Sequence, residues 1–192
     1  LELSVRVGSG NELLPSDNLS IYRMPWSAIV ADSSGNPVEN ALVTVALRAT
    51  RYRKGFWTQL TEGWVQMAGD LTFCPSEDLD LNGRLDAGED NNSNGELDPG
   101  AVAVSQVLEA GSRTDASGLA EIEVIYPKSY GAWVETQIQV TITTVSGTEA
   151  SADQVFMLPV EAGDVNNVGV QPPGAASPDG PFGRSTNCGD TW

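Results

Sequence analysis

Apolar and polar residues alternate along much of this chain. Leu1, Leu3, Val5 and Val7 interleave with Glu2, Ser4 and Arg6, and Val43, Val45 and Leu47 interleave with Thr44, Ala46 and Arg48. A period of two puts successive side chains on opposite faces of a strand, so each run predicts one buried and one solvated face. Further runs stand at 26–31, 102–108, 119–126, 133–144 and 154–158, most of them rich in Val, Ile, Thr or Trp, residues that suit a pleated, half-buried surface. Between the runs lie short polar breaks such as Ser33-Ser34-Gly35-Asn36-Pro37, Asp115-Ala116-Ser117-Gly118 and Ser146-Gly147, which have the chemistry of tight turns. The pattern predicts an all-β fold, a β-sandwich of seven to nine strands.

Two segments break the alternation. Residues 74–100 form an acidic, Asn/Gly-rich insertion, and residues 161–192 a Pro/Gly/Asn-rich tail expected to lie extended over the body. The predicted organisation is an N-terminal strand and linker (1–18), a sandwich (19–160) carrying the insertion, and the tail. Trp26, Trp57, Trp64 and Trp133 fit the core or a sheet face, and a sugar-stacking platform is the other use for them.

Composition narrows the chemistry. The 192 residues carry 10 Lys+Arg against 26 Asp+Glu, a formal charge of −16, which disfavours nucleic acid and anionic membranes as partners. There is no histidine, so the common general base, the Ser/His/Asp arrangement and the commonest zinc ligand are absent. Most hydrolase chemistry is thereby removed; a carboxylate pair could still act on glycosides, but the clustered acidic residues are mostly accounted for below, so no enzyme is expected. No apolar run is long enough to span a bilayer. The chain starts at Leu1 rather than Met, as a processed or excised segment would. Cys74 and Cys188 are 114 residues apart, which suits neither a CxxC motif nor a zinc site and leaves one long-range disulfide or two free thiols. The disulfide is favoured by the other extracytoplasmic features.

The insertion has a repeating chemistry. Asp78, Asp80, Asn82 and Asp86 put oxygen side chains at positions 1, 3, 5 and 9 of a twelve-residue calcium loop, with Gly83 at position 6, Leu85 at 8 and Glu89 at 12. The Arg84 carbonyl is the candidate ligand at position 7. A hard cation takes six to eight oxygens around one point, and alternate residues of a tight loop can supply them. Twelve residues on, Asp90, Asn92, Asn94, Gly95, Glu96, Leu97 and Asp98 repeat Asp78, Asp80, Asn82, Gly83, Arg84, Leu85 and Asp86 in register, but Ala101 stands where Glu89 would recur. The second loop must borrow a closing ligand, with Glu77, Asp70, a backbone carbonyl or water as candidates, and is expected to bind more weakly. Residues 76–100 hold eight acidic residues against Arg84 alone, a net −7. A solvated linker would have no reason to repeat Gly and Leu at fixed positions. Ca2+ is therefore expected, ahead of Mg2+, which prefers six ligands and keeps its waters. No helix pair flanks the loops, so the ion would rigidify the insertion rather than act as a sensor.

The run Ile29-Val30-Ala31-Asp32-Ser33-Ser34-Gly35-Asn36-Pro37-Val38, with Thr114-Asp115-Ala116-Ser117-Gly118-Leu119-Ala120, resembles the bacterial Ig-like domains of the invasin/intimin type over roughly residues 20–160. Tyr52-Arg53-Lys54-Gly55-Phe56-Trp57, the double loop, Tyr126-Pro127-Lys128-Ser129-Tyr130 and Pro181-Phe182-Gly183 before Cys188 look like a set recurring in large Ig-like surface proteins of Gram-negative bacteria. That resemblance implies an Ig-like sandwich on the outside of the cell, used as a spacer, adhesin module or filament subunit without catalysis. It also implies a Cys74–Cys188 bond. Self-association or other surface proteins are the expected partners. The N-terminal strand could pair within its own sheet or with a neighbouring subunit, and a carbohydrate-binding module is the alternative function.

Overall fold

The computed structural model describes residues 2–14, 16, 18–173 and 178–191. Leu1, the start of the first alternating run, and part of the tail lie outside that range. Ten strands follow in order: β1 (Leu3–Ser9), β2 (Ile21–Asp32), β3 (Leu42–Lys54), β4 (Thr58–Leu60), β5 (Gly63–Val65), β6 (Thr72–Pro75), β7 (Val104–Val107), β8 (Leu119–Pro127), β9 (Val134–Thr143) and β10 (Glu149–Met157), then one helical turn, α1 (Ala162–Val165). Eight of them build two four-stranded antiparallel sheets, β1-β2-β8-β7 and β10-β9-β3-β6, while β4 and β5 form a separate hairpin. The chain is all-β and sandwich-like, as the alternation predicts.

The period of two sets what is buried. In β9, Val134, Thr136, Ile138, Val140 and Ile142 point inward and the residues between them are half-exposed. They face a core that also holds Tyr22, Met24, Trp26, Ala28 and Val30 of β2 and Ala120, Ile122, Val124 and Tyr126 of β8. Each fully buried Ile or Val contributes on the order of 1.5–3 kcal/mol over an exposed position. Trp26, Trp57 and Trp133 are also buried, so the core role holds for these rings and a sugar platform would have to do without them.

Two departures from simple alternation matter. Strand β2 begins at Ile21 rather than 26 and runs through Pro25. The Pro25 carbonyl accepts from Gly10 N, and a residue's N–H and C=O point the same way in an antiparallel ladder. The missing donor therefore falls where β1 ends and leaves the β8 ladder intact. In β3 the register with β9 shifts between Ala49 and Arg51. This bulge inserts Thr50 and reverses the parity, so Val43 is buried before it and Tyr52 and Lys54 after it.

β1 pairs antiparallel with β2 from Leu3↔Asp32 to Ser9↔Trp26, at the edge of its sheet, with Leu3, Val5 and Val7 packed against the core. The tail segment 178–191 lies against the end of β3 and the residues that follow it. Trp57 N donates to Pro178 O, Gly180 N to Gly55 O and Gly55 N to Gly183 O. Phe182 packs on Tyr52 with ring centroids 4.6 Å apart. No helix among the described residues is long and apolar enough to cross a membrane.

Candidate metal centre

The insertion leaves β6 and returns at β7, and between Ser76 and Ala103 it consists of turns and bends. Its two halves fold alike. Gly83 and Gly95, both at loop position 6, have φ of 74° and 78°, a region that glycine enters without the Cβ clash. Leu81 and Ser93, both at position 4, have φ of 63° and 56°.

In the first loop the side chains turn back on their own backbone. Asp78 accepts from Asn82 N (2.9 Å) and Gly83 N (3.0 Å), and Asn82 Oδ1 accepts from Arg84 N at 2.7 Å. Glu89 Oε1 accepts from Leu79 N and Oε2 from Asp86 N, both at 2.9 Å. These amides, first Asp86 and then Leu79, hold the Glu89 carboxyl below its ordinary range. Asp78, Asp80 and Glu89 bring ligand oxygens within 4.8 Å of one another. Charge repulsion among three such carboxylates falls when a cation sits between them, and an all-oxygen donor set is what hard cations select.

The second loop repeats the bonding. Asp90 accepts from Asn94 N and Gly95 N, both at 3.1 Å, and Asn94 Oδ1 from Glu96 N at 2.7 Å. Asp98 Oδ2 accepts from Asn92 Nδ2 and Asn94 Nδ2, each at 2.8 Å. The carboxylate at the Glu89-like place is Glu77, whose Oε1 accepts from Asn91 N and Oε2 from Asp98 N, both at 3.0 Å. Burial pushes the Glu77 carboxyl up, against the opposing effect of these amides. Asp70, another candidate closing ligand, accepts instead from Thr58 Oγ1. Position 3 is Asn92 where the first loop has Asp80, so this half lacks one of the three carboxylates that cluster in the first.

The loops differ in setting. Asp80, Asn82 and Asp86 are exposed while Asn92 and Asp98 are 4% and 8% exposed, but the two carboxylates that bond the loop amides, Glu89 and Glu77, are alike buried, at 7% and 4%. Against the second loop lie β6 and the tail. Cys74 and Cys188 form a disulfide with Cα atoms 5.5 Å apart, and Thr191 Oγ1 donates to Asn92 O at 3.1 Å. Lys54, wholly buried, donates its ammonium to the backbone carbonyls of Asn187 and Asp190. Tyr52 lies close by, its phenol pushed up to about 12, first by burial and then by the charges of Glu77 and Asp98. Lys54 and Thr191 are the residues of this region that sequence reading does not single out as its supports. The parity change in β3 hides the first, and contacts across 99 residues hide the second.

The chain matches no protein-family model, and no curated protein is significantly similar to it in sequence.

Proposed function

We propose that this chain is a calcium-stabilised structural protein of the bacterial cell surface, an Ig-like module that works outside the cell as an adhesin unit or as a filament subunit. The observation that carries this reading is the doubled oxygen-rich loop, with Asp78, Asp80 and Glu89 converging on one point. Calcium would be held in the first loop by Asp78, Asp80, Asn82, Asp86, Glu89 and the Arg84 carbonyl. There it would neutralise an insertion that repels itself and fix an excursion that has no strands of its own. The disulfide suits an oxidising compartment, and the resemblance of the 29–38 and 114–120 runs to invasin/intimin-type domains suggests the cell-surface context.

Assembly would proceed by head-to-tail strand exchange. β1 here occupies its own sheet, paired with β2 along its length and with the apolar stripe of Leu3, Val5 and Val7 packed on the core, and it is its place at the sheet edge, with only β2 beside it, that would let a neighbour's strand take the same position. A strand donated by a neighbour would satisfy the same ladder and fill the same stripe. Contacts of this kind extend into a filament when they do not close into a ring. The burial of Trp26, Trp57 and Trp133 counts against carbohydrate binding through those rings.

The test is negative-stain microscopy of the purified chain with calcium and with chelator, alongside a chain lacking residues 1–9. The proposal expects filaments from the full chain in calcium and a folded monomer from the truncated one. A full chain that stays monomeric at high concentration in calcium would remove the filament reading.

A further inference from the structure

We propose that Asn82 is a site of spontaneous deamidation, and that the second loop, which carries the same Asn-Gly pair, holds Asn94 out of the reaction while the chain is folded. The inference stands apart from the calcium reading and requires no ion.

The reactive pair is written into the repeat. Asparagine is followed by glycine at 82–83 and 94–95, positions 5 and 6 of both loops, and nowhere else in the chain. In this reaction the backbone nitrogen of the following residue attacks the asparagine Cγ. The amide proton passes to a base from solvent, the new N–Cγ bond closes a cyclic imide, and the Cγ–Nδ2 bond breaks. Nδ2 leaves as ammonia after taking a proton from water. Water then opens the imide at either carbonyl, giving aspartate or the isomer that has Cβ in the main chain. Glycine favours the closure because no Cβ crowds the attacking nitrogen.

Both folded loops oppose the attack in the same way. Gly83 N donates to Asp78 Oδ2 at 3.0 Å and Gly95 N to Asp90 Oδ2 at 3.1 Å. A carboxylate that accepts from the amide keeps the proton on nitrogen, since its removal would set two negative charges side by side. The side chains of Asn82 and Asn94 are held as well, each Oδ1 accepting from the amide two residues on at 2.7 Å. Reaction therefore waits on a local opening that releases these bonds.

The cost of that opening separates the loops. Glu77 and Glu89 brace the two halves alike and do not distinguish them. Asn82 and Gly83 are exposed, and so are Asp80 and Asp86, the acceptors of Asn82 Nδ2. Exposed bonds exchange for bonds to water at small net cost. Hydrogen bonds made by residues 78–89 stay within 76–89, so the rest of the body does not resist the movement. Asn94 is half-buried, and its Nδ2 donates to Asp98, which is buried together with Asn92. Asn92 O also accepts from Thr191 Oγ1 of the tail. Opening this half strips partners from groups that water does not reach, which costs more than the same movement in the first loop. Conversion at Asn82 adds a carboxylate beside Asp80 and Asp86 or lengthens the main chain next to Gly83, so the first loop alone changes charge or shape as the folded protein ages.

The test follows both sites by mass spectrometry in the full chain, kept in chelator at mildly alkaline pH, folded and in guanidinium. Trypsin cleavage after Arg84 places Asn82 and Asn94 in different peptides. The rate ratio in guanidinium sets the intrinsic preference, and folding should shift it toward Asn82 by roughly tenfold or more. An unchanged ratio, a shift toward Asn94, or a folded chain in which neither asparagine converts while the unfolded chain does would overturn the inference. Amide exchange on the folded sample reads the opening itself. The Gly83 N–H should exchange ahead of the Gly95 N–H, and equal protection of the two would overturn the reason given for the difference.

Discussion

Reducing the Cys74–Cys188 bond in saturating calcium should lower the stability of the whole domain, because the bond closes a loop of more than half the chain. Its two ends are 114 residues apart, and in the chain-entropy model a cross-link of that span removes about 5 kcal/mol of freedom from the unfolded state. Part of this is returned on reduction. A folded molecule without the bond can release residues 187–191 while Phe182, still packed on Tyr52, keeps the preceding segment in place. The net loss should be about 3–5 kcal/mol, within the span seen when native disulfides are removed. For a domain of this size each kcal/mol moves the midpoint by about 2–4 °C, so the reduced protein should melt roughly 6–20 °C lower. Scanning calorimetry of the oxidised protein and of a C74S/C188S variant, both in excess calcium, measures this. Coincident midpoints would refute the reasoning, since they would mean that the tail is held without the bond and that the unfolded chain gains no freedom from its loss.

Other outcomes follow from particular contacts. Gly180→Ala places a Cβ 2.7 Å from the Trp133 ring, a ring that is buried and set edge-on to Trp57, so it should cost about 1–3 kcal/mol in urea unfolding; a neutral substitution would show that the tail is not seated on Trp133. Asp32, held low by Asn36, Asp115, held low by Ser117, and Glu135, held low by Arg51, each bind fewer protons folded than unfolded near their titration range. Their contribution is present above the unfolded carboxyl values of about 4 and is lost as pH falls below them. The urea midpoint should therefore drop with acid through that window, and D32N should flatten the drop; an identical pH profile for D32N would contradict the assignment.

The parts of this fold that announce themselves in the sequence are those where one rule acts alone. β9 alternates without interruption and reads as a strand, as does the inward set of β8. The calcium pattern is equally local, since Asp, Asn and Gly recur at fixed offsets within twelve residues. Reading becomes harder where parity changes or partners are remote. Strict alternation through β3 would put Arg51 and Arg53 inside with Val43, whereas the bulge at Thr50 turns Tyr52 and Lys54 inward. β10 starts at Glu149, eight residues before Met157, because its first half pairs through backbone with β9 and buries little apolar surface. The β4–β5 hairpin is three residues a side, too short for periodicity to register. Glu77 stands among the candidates from sequence because it is acidic and adjacent. Its selection over Asp70 needs the fold, which carries Asp70 to Thr58 and Glu77 to the amides of the second loop.

The central claim, that the insertion is a calcium-dependent structural element, is tested most directly by the thermal unfolding of the oxidised chain in excess calcium and in excess chelator, with limited proteolysis of residues 76–100 read on the same samples. Binding to the folded state alone stabilises by about 2.7 kcal/mol at a hundredfold excess over the dissociation constant, which for this size is a rise of roughly 5–11 °C. The account predicts that rise, with the insertion protected in calcium and cut in chelator, and predicts that E89Q removes a large part of both effects. Identical melting curves and identical digestion in the two solutions would contradict it.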